Sequence, residues 1–308
     1  MISRRNIRVK VMQTLYSLAT LTDGAQGNKE IAAKMLNEKL DHVLDIFTVS
    51  VLYTLRIAQY AETDATQRSN RYLKVAEDQN VNTSIADNEF VTKLLSNASL
   101  TEKIKKGKLE RFIDEDWVKN IYHQLDKTEE YANYITAKTH TPAEDKDIIR
   151  FIWEKQVLTS EGLMSHFMDE LPGWEDDSEL IGMLMQNFFN GNSKVNFLNL
   201  LSGEKKEYAH DLLITVVDKE PYCMELIEPK LKNWDKDRVA HIDLLLLRMG
   251  LCELLYFPTI PTKVTINEYI DIAKQYSTPQ SGQFVNGVLD NILKDLQKEN
   301  KIKKTERG

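Results

Sequence analysis

Three arginines open the chain as Arg4-Arg5-x-x-Arg8, with Lys10 close behind and no acid before Asp23. Arg4 and Arg8 stand one helical turn apart, so a helix here gathers cations on its first turns. The amino end of a helix dipole disfavours cations, so helix stability does not account for them. Two chemistries remain. One is a solvated, frayed helix start, the default for a charged terminus. The other is an electrostatic grip on the phosphates of single-stranded RNA. Phe284 and Asn286 pose a similar choice: a ring packed at a helix start beside a capping amide, or a stacking ring beside an amide that reads a base edge. On these few residues alone, the arginines favour the solvated start.

Other chemistry is thin. There is no phosphate-cradling glycine loop, no HExxH and no CxxC pair. His42, His123, His140, His166, His210 and His241 are scattered. His210-Asp211 and His241-x-Asp243 put an acid near an imidazole, but no nucleophile accompanies them. The run Glu175-Asp176-Asp177 is read as solvating a loop and capping the helix after it. Cys223 and Cys252 lack metal-ligand spacing and fall on apolar helical patterns, which predicts small buried thiols in a reducing compartment. No enzyme, cofactor or metal centre is expected.

The elements that must position these residues are helical throughout. Ile7, Val11, Leu15 and Leu18 recur at helical spacing and predict a first helix over 3–22, ended by Asp23-Gly24. A long helix follows over 28–61, with a stripe of Ile31, Met35, Leu36, Leu40, Val43, Leu44 and Phe47. Residues 65–88 are polar; Tyr72 to Ala76 suggest more helix, and Asn80-Val81-Asn82 a loop. Val91, Leu94, Leu95 and Leu100 mark a short helix, and Trp117, Ile121, Leu125 and Tyr131 are spaced for another. Thr141-Pro142-Ala143-Glu144 is a strong helix start for the run carrying Ile148, Ile152 and Trp153. After Leu171-Pro172-Gly173, Asp177-Ser178 opens a helix over 180–189, ended by Asn190-Gly191-Asn192.

Near the carboxyl end, residues 239–255 are apolar nearly all round, so that helix has no solvated face and belongs inside a bundle. Arg248 and Glu253 on it are expected to be paired, because unpaired burial is costly. Pro258 and Pro261 force a turn. Thr265-Ile266-Asn267-Glu268 opens the next helix, with Lys274 in its last turn, where a cation suits the dipole. Ser277-Thr278-Pro279 breaks it, and Gln283 begins the last helix.

The 308 residues suffice for one large or two ordinary domains, with the apolar and charged fractions of a globular protein. Seven prolines and twelve glycines favour helices over many-turned β architecture. No apolar run is long enough to span a membrane. Lys10 and Gln13 interrupt what would be the core of a secretory signal, and a cytoplasmic location is expected. The net charge of −7 argues mildly against RNA binding, but the cations are gathered at the ends: Arg4, Arg5, Arg8 and Lys10, then Lys294, Lys298, Lys301, Lys303, Lys304 and Arg307.

Leu247-Arg248, Glu253-Leu254, Ile260-Pro261, Val264, Ile266-Asn267-Glu268, Ala273-Lys274 and the run from Phe284 to Asp290 resemble, in order and spacing, the C-terminal half of the NusB family of bacterial transcription antitermination factors. Asp211-Leu212-Leu213, Val216, Tyr222 and Trp234 resemble the preceding helix pair, and Arg4-Arg5-x-x-Arg8, Gln13 and Leu15-Tyr16-Ser17 its arginine-rich first helix. The first twenty and last hundred residues match; the middle does not.

The resemblance implies an all-α fold of two packed helical bundles, the N-terminal one enlarged. Three segments follow: 1–64 with the arginine-rich start, a helical insertion over 65–200, and a C-terminal bundle with a basic tail over 201–308. It also implies pairing with the ribosomal protein NusE and binding of boxA-type single-stranded RNA in rRNA leader transcripts, in a complex with other Nus factors and RNA polymerase. The implied RNA contacts are Arg4, Arg5, Arg8, Tyr16, Phe284 and Asn286, with Lys274 and Tyr276 beside them. Asp243 is the implied NusE contact. The family is known as monomer and as homodimer, so a homodimer hiding the RNA surface stays open. Asn6 and Ile7 dilute the arginine cluster. Two other readings therefore stand beside the first: a helical protein–protein adaptor without RNA binding, and a NusB-like rRNA maturation factor.

Overall fold

The computed structural model describes residues 2–21, 28–70, 82–191, 195–199, 201–231 and 239–305. Among them are fourteen α-helices and no strand. The described fold is all-α. The described helices include none long and apolar enough to cross a membrane. Asp23-Gly24, Tyr72 to Ala76, Asn80-Val81, Asn192, Trp234 and Arg307 lie outside the described residues.

The chain forms two compact units. One comprises Ile2–Leu40 with Leu201–Gly308; the other comprises Met1 and Asp41–Leu200. Helix α2 (Lys29–Ser69) is divided between them near residue 40. It runs past the expected end at 61, and the polar residues after Ala65 continue its last turns. The division into units thus cuts inside the 1–64 segment and falls again after Leu200.

The first unit holds α1 (Arg4–Thr20), the start of α2, α10 (Gly203–Asp218), α11 (Glu220–Ile227), α12 (His241–Tyr256), α13 (Thr262–Tyr276) and α14 (Ser281–Lys298). Ser3 caps α1 by accepting from the Asn6 N–H at 3.2 Å. Helix α12 is the centre of this unit: every residue from Leu245 to Leu254 except Arg248 is buried. Helices α13 and α14 begin earlier than expected, at Thr262 and Ser281 rather than Thr265 and Gln283. Neither start carries a side-chain cap that a sequence could advertise.

The second unit holds the rest of α2, α3 (Glu89–Leu95), α4 (Ala98–Gly107), α5 (Glu115–Leu125), α6 (Glu129–Thr136), α7 (Pro142–Phe151), α8 (Glu161–Glu170) and α9 (Trp174–Asn190). Its core is aromatic. Phe47 and Phe197 stack with centroids 5.7 Å apart, and Phe188 meets Phe47 edge-on at 5.9 Å. Thr141 and Glu144 form a reciprocal capping box at the start of α7. That helix continues through a π-helical turn over Ile152–Val157, closed by Leu158 N–H donating to the Trp153 carbonyl at 3.0 Å. Trp117 and Tyr131 do not share a helix: Thr128 caps a new one, α6. Helix α9 begins at Trp174 behind Gly173, whose φ is +79°. Glu175, Asp176 and Asp177 are therefore in its first turn, where acids suit the dipole, and not in a loop before it.

Candidate nucleic-acid interface

The arginine helix and the C-terminal helices belong to one unit, and a single carboxylate ties them together. Glu253 of α12 is fully buried. Arg8 of α1 donates to it through Nε at 2.9 Å and Nη2 at 2.8 Å. Tyr208 donates at 2.7 Å, Thr265 at 2.8 Å and Tyr269 at 3.3 Å. Arg8 also meets Glu268 at 3.3 Å and lies 5.8 Å from the Tyr208 and Tyr269 ring centres. Lys304 of the tail donates to the Glu253 and Phe257 carbonyls, each at 2.9 Å. Burial pushes the Glu253 pKa upward, but the hydrogen bonds and charge of Arg8, with Tyr208 and Thr265, outweigh it and hold the group below the usual carboxylate range. The Arg8 guanidinium is correspondingly held in its charged form: burial opposes the charge, and Glu253 overcomes that opposition.

This corrects one expected contact. Arg8 is only 2% exposed and both edges of its fork are engaged, so no phosphate reaches it. It positions α1 from inside. Glu253 and Arg248 are each paired, as expected, but with different partners: Glu253 with Arg8, and Arg248 with Glu220 of α11.

Arg4 and Arg5 remain at the surface. Arg4 pairs with Glu204 at 2.5 Å and lies 5.5 Å from the Tyr208 ring centre. Arg5 meets Asp271 at 3.4 Å, and Lys274 meets the same Asp271 at 3.6 Å. One carboxylate thus brings the α1 arginine and the α13 lysine together. The Lys274 stem in turn packs over the first turn of α14, where a Cβ at Gly282 would stand 2.9 Å from its Cγ. Tyr16 is 43% exposed on α1, with its ring edge-on to His241 at 5.7 Å. Asn286 is exposed and Tyr276 half-buried.

Two further expectations are corrected. Phe284 is 4% exposed, packed on the same face of α14 as Val285, Val288 and Leu289, so it offers no ring for a base to stack on. Asp243 is 5% exposed and accepts from the Ser281 hydroxyl at 2.7 Å, which pins the start of α14 to that of α12. It has little surface to offer a partner protein. Sequence reasoning missed Tyr208 and Thr265 as ligands of Glu253, and Glu204 and Asp271 as partners of the arginines. Helical spacing does put Arg8 on the buried line of Val11, Met12 and Leu15, a signal that was there to be read.

His210 and Asp211 face each other at 3.7 Å on the exposed surface of α10. Cys223 and Cys252 are both buried with sulfurs 3.4 Å apart, a neighbour relation that their 29-residue separation hides. No group of three or more His, Cys, Asp or Glu side chains among the described residues could hold a metal ion.

The sequence profile of the NusB family matches residues 174–294. The chain is similar to the transcription antitermination protein NusB of Salinibacter ruber (strain DSM 13855 / M31), 46% identical over 103 residues. That match covers 33% of this chain and 64% of the relative. It is also similar to NusB of Methylacidiphilum infernorum (isolate V4), 43% identical over 95 residues, covering 31% of this chain and 66% of the relative. NusB of Listeria monocytogenes serotype 4b (strain CLIP80459) is 40% identical over 94 residues, 30% of this chain and 73% of the relative. The chain thus spans just under two thirds of the first two relatives and more of the third. No solved structure gives a significant match. With identity on this scale over most of the Listeria protein, this chain belongs to the NusB family.

Proposed function

We propose that this chain is a cytoplasmic RNA-binding transcription antitermination factor that pairs with ribosomal protein NusE and binds boxA-type RNA in rRNA leader transcripts, alongside other Nus factors and RNA polymerase. The observation that carries the reading is the Arg5–Asp271–Lys274 connection, which sets cations from α1 and α13 on one surface beside the first turn of α14. Arg4, Arg5 and Lys274 supply the phosphate contacts, Tyr16 an exposed ring and Asn286 an exposed amide. Arg8 holds the helix that presents them.

One specific observation favours the adaptor reading: Glu204 and Asp271 already partner Arg4 and Arg5. Such exposed pairs are weak, about 0–1 kcal/mol, and a phosphate can displace them. The test is the double variant Arg4→Gln/Arg5→Gln, titrated with boxA-type RNA across a salt series, with and without saturating NusE. The fold should be intact, because neither arginine is interior. Affinity should fall, and the log–log salt slope should flatten by roughly 0.7 for each phosphate no longer neutralised. Unchanged affinity and slope would remove RNA from this surface and leave the adaptor.

A further inference from the structure

Helix α11 is held lightly. It is 8 residues long and buries two of them, Cys223 and Ile227. A helix of that length is marginal alone. Lys219, at its start, gives no side-chain cap. Helix α12, which it packs against, buries ten of its 16 residues. Short elements with few buried contacts open locally at a fraction of the cost of unfolding the whole. Two side-chain links join the pair of helices. One is the ion pair of Arg248 with Glu220 in the first turn of α11. The other is Cys223 beside Cys252.

Both cysteines are 0% exposed, both are free thiols, and their sulfurs are 3.4 Å apart. The Cys252 thiol also donates to the Thr215 carbonyl of α10 at 3.8 Å, which holds its sulfur from the far side. Reacting atoms held about 3–3.5 Å apart are placed for attack on one another. Packing alone hides both sulfurs from an oxidant. When α11 lifts, Cys223 goes with it toward solvent, while Cys252 stays at the centre of the unit. When α11 returns, it sets the Cys223 sulfur back against Cys252.

We propose that Cys223 and Cys252 are a dithiol–disulfide switch, oxidised by hydrogen peroxide that meets Cys223 when α11 lifts, and that the disulfide then locks α11 to α12. The chemistry balances in two steps. The Cys223 sulfur attacks one peroxide oxygen. An S–O bond forms, the O–O bond breaks, and the departing hydroxide takes the thiol proton to become water. Cys223 is then a sulfenic acid. With α11 back in place, the Cys252 sulfur attacks that sulfur. An S–S bond forms, the S–O bond breaks, and the hydroxide leaves with the Cys252 proton as a second water. The two thiols lose two electrons and the peroxide gains them. A thiol reductant reverses the change by exchange. The clip lies one residue from Glu253, the carboxylate that seats Arg8 and with it α1. Oxidation therefore stiffens the unit beside its buried tie.

The test uses the full, reduced chain and no RNA, so its outcome is independent of the RNA-binding reading. The chain is treated with hydrogen peroxide, unfolded in N-ethylmaleimide, and its intact mass measured. The expected product is a monomer lighter by two hydrogens that takes up no maleimide, and digestion should yield the Cys223 and Cys252 peptides joined. Dithiothreitol should restore both thiols. Amide exchange in α11 should be roughly tenfold or more slower in the oxidised chain. Glu220→Gln removes the ion pair that holds α11 down and should speed oxidation about two- to fivefold, the size of one partly exposed pair. In Cys252→Ala the second sulfur is missing, and dimedone should trap the sulfenic acid on Cys223. Two maleimides on the peroxide-treated wild type would overturn the proposal. So would a disulfide between two chains, or a sulfinic acid on Cys223 without a crosslink. An oxidation rate unmoved by Glu220→Gln would overturn the part given to α11, and no trapped acid in Cys252→Ala would overturn the order of attack.

Discussion

The two units start their helices in different ways. In the 41–200 unit, six helices in a row open on a side chain that accepts from the first-turn N–H groups: Asn88, Asn97, Asp114, Thr128, Thr141 and Ser160. In the unit that holds the termini, α1 and α2 open on Ser3 and Asn28, but the five later helices, α10, α11, α12, α13 and α14, open with no such bond, as does α9 of the 41–200 unit. The capped helices are short, from 7 residues in α3 to 11 in α5. Helices of that length are marginal alone, so a local cap matters. Apart from α11, which has Pro221 in its first turn, the uncapped ones are 15–18 residues long. Their ends are set by what they pack on and by tertiary ties such as Asp243 to Ser281. The short helices of one unit are specified locally, and the later helices of the other through long-range bonds to buried polar groups.

The sharpest way to break this contrast is to remove the buried tie. Glu253→Ala leaves the Arg8 guanidinium buried beside Glu268 alone, with its strongest partner gone, and should cost about 3–5 kcal/mol. Hydrogen exchange should place the loss in α1, α12 and α13, with α3 to α9 spared. A loss no larger than that of an exposed pair, or one spread evenly over both units, would end the distinction. Leu246→Ala, at a fully buried position of α12, should cost about 2–5 kcal/mol by denaturant unfolding. A change within error would mean that α12 is not the interior helix.

The smallest effect sharpens the other half. Thr141→Ala removes the capping box of α7 and should cost about 1 kcal/mol. Ser202→Ala, at the corresponding place before α10, should stay within about 0.5 kcal/mol, since Ser202 makes no cap bond. Equal losses in the two would show that capping does not separate the units.

The same contrast explains what could be read from the chain. The Thr141 start was legible because its signal lies within four residues. The starts of α9, α13 and α14 were read late because Gly173, Pro261 and Gln280 give no cap bond. The break between α5 and α6 was missed although Thr128 marks it, because the apolar spacing runs on through Tyr131. Helix α8, with Leu163 and Phe167 buried, escaped because its apolar stripe is only two residues deep. At the candidate interface, residue type misled where burial decides. Phe284 falls on the stripe of Val288 and Ile292, and Arg8 on that of Val11 and Leu15. That Glu253 needed a partner was legible; that the partner was Arg8, 245 residues away, was not.

That separation has a consequence for the order in which the protein is made. Helix α1 leaves the ribosome first, yet the carboxylate that seats it follows 245 residues later. At typical synthesis rates the delay is roughly ten to fifty seconds. Helix α10, which carries Glu204, is made before Glu253, so α1 can meet that neighbour first and its buried carboxylate only afterwards. A chain not yet translated past Glu253 therefore lacks the buried bond that fixes the arginine helix from inside.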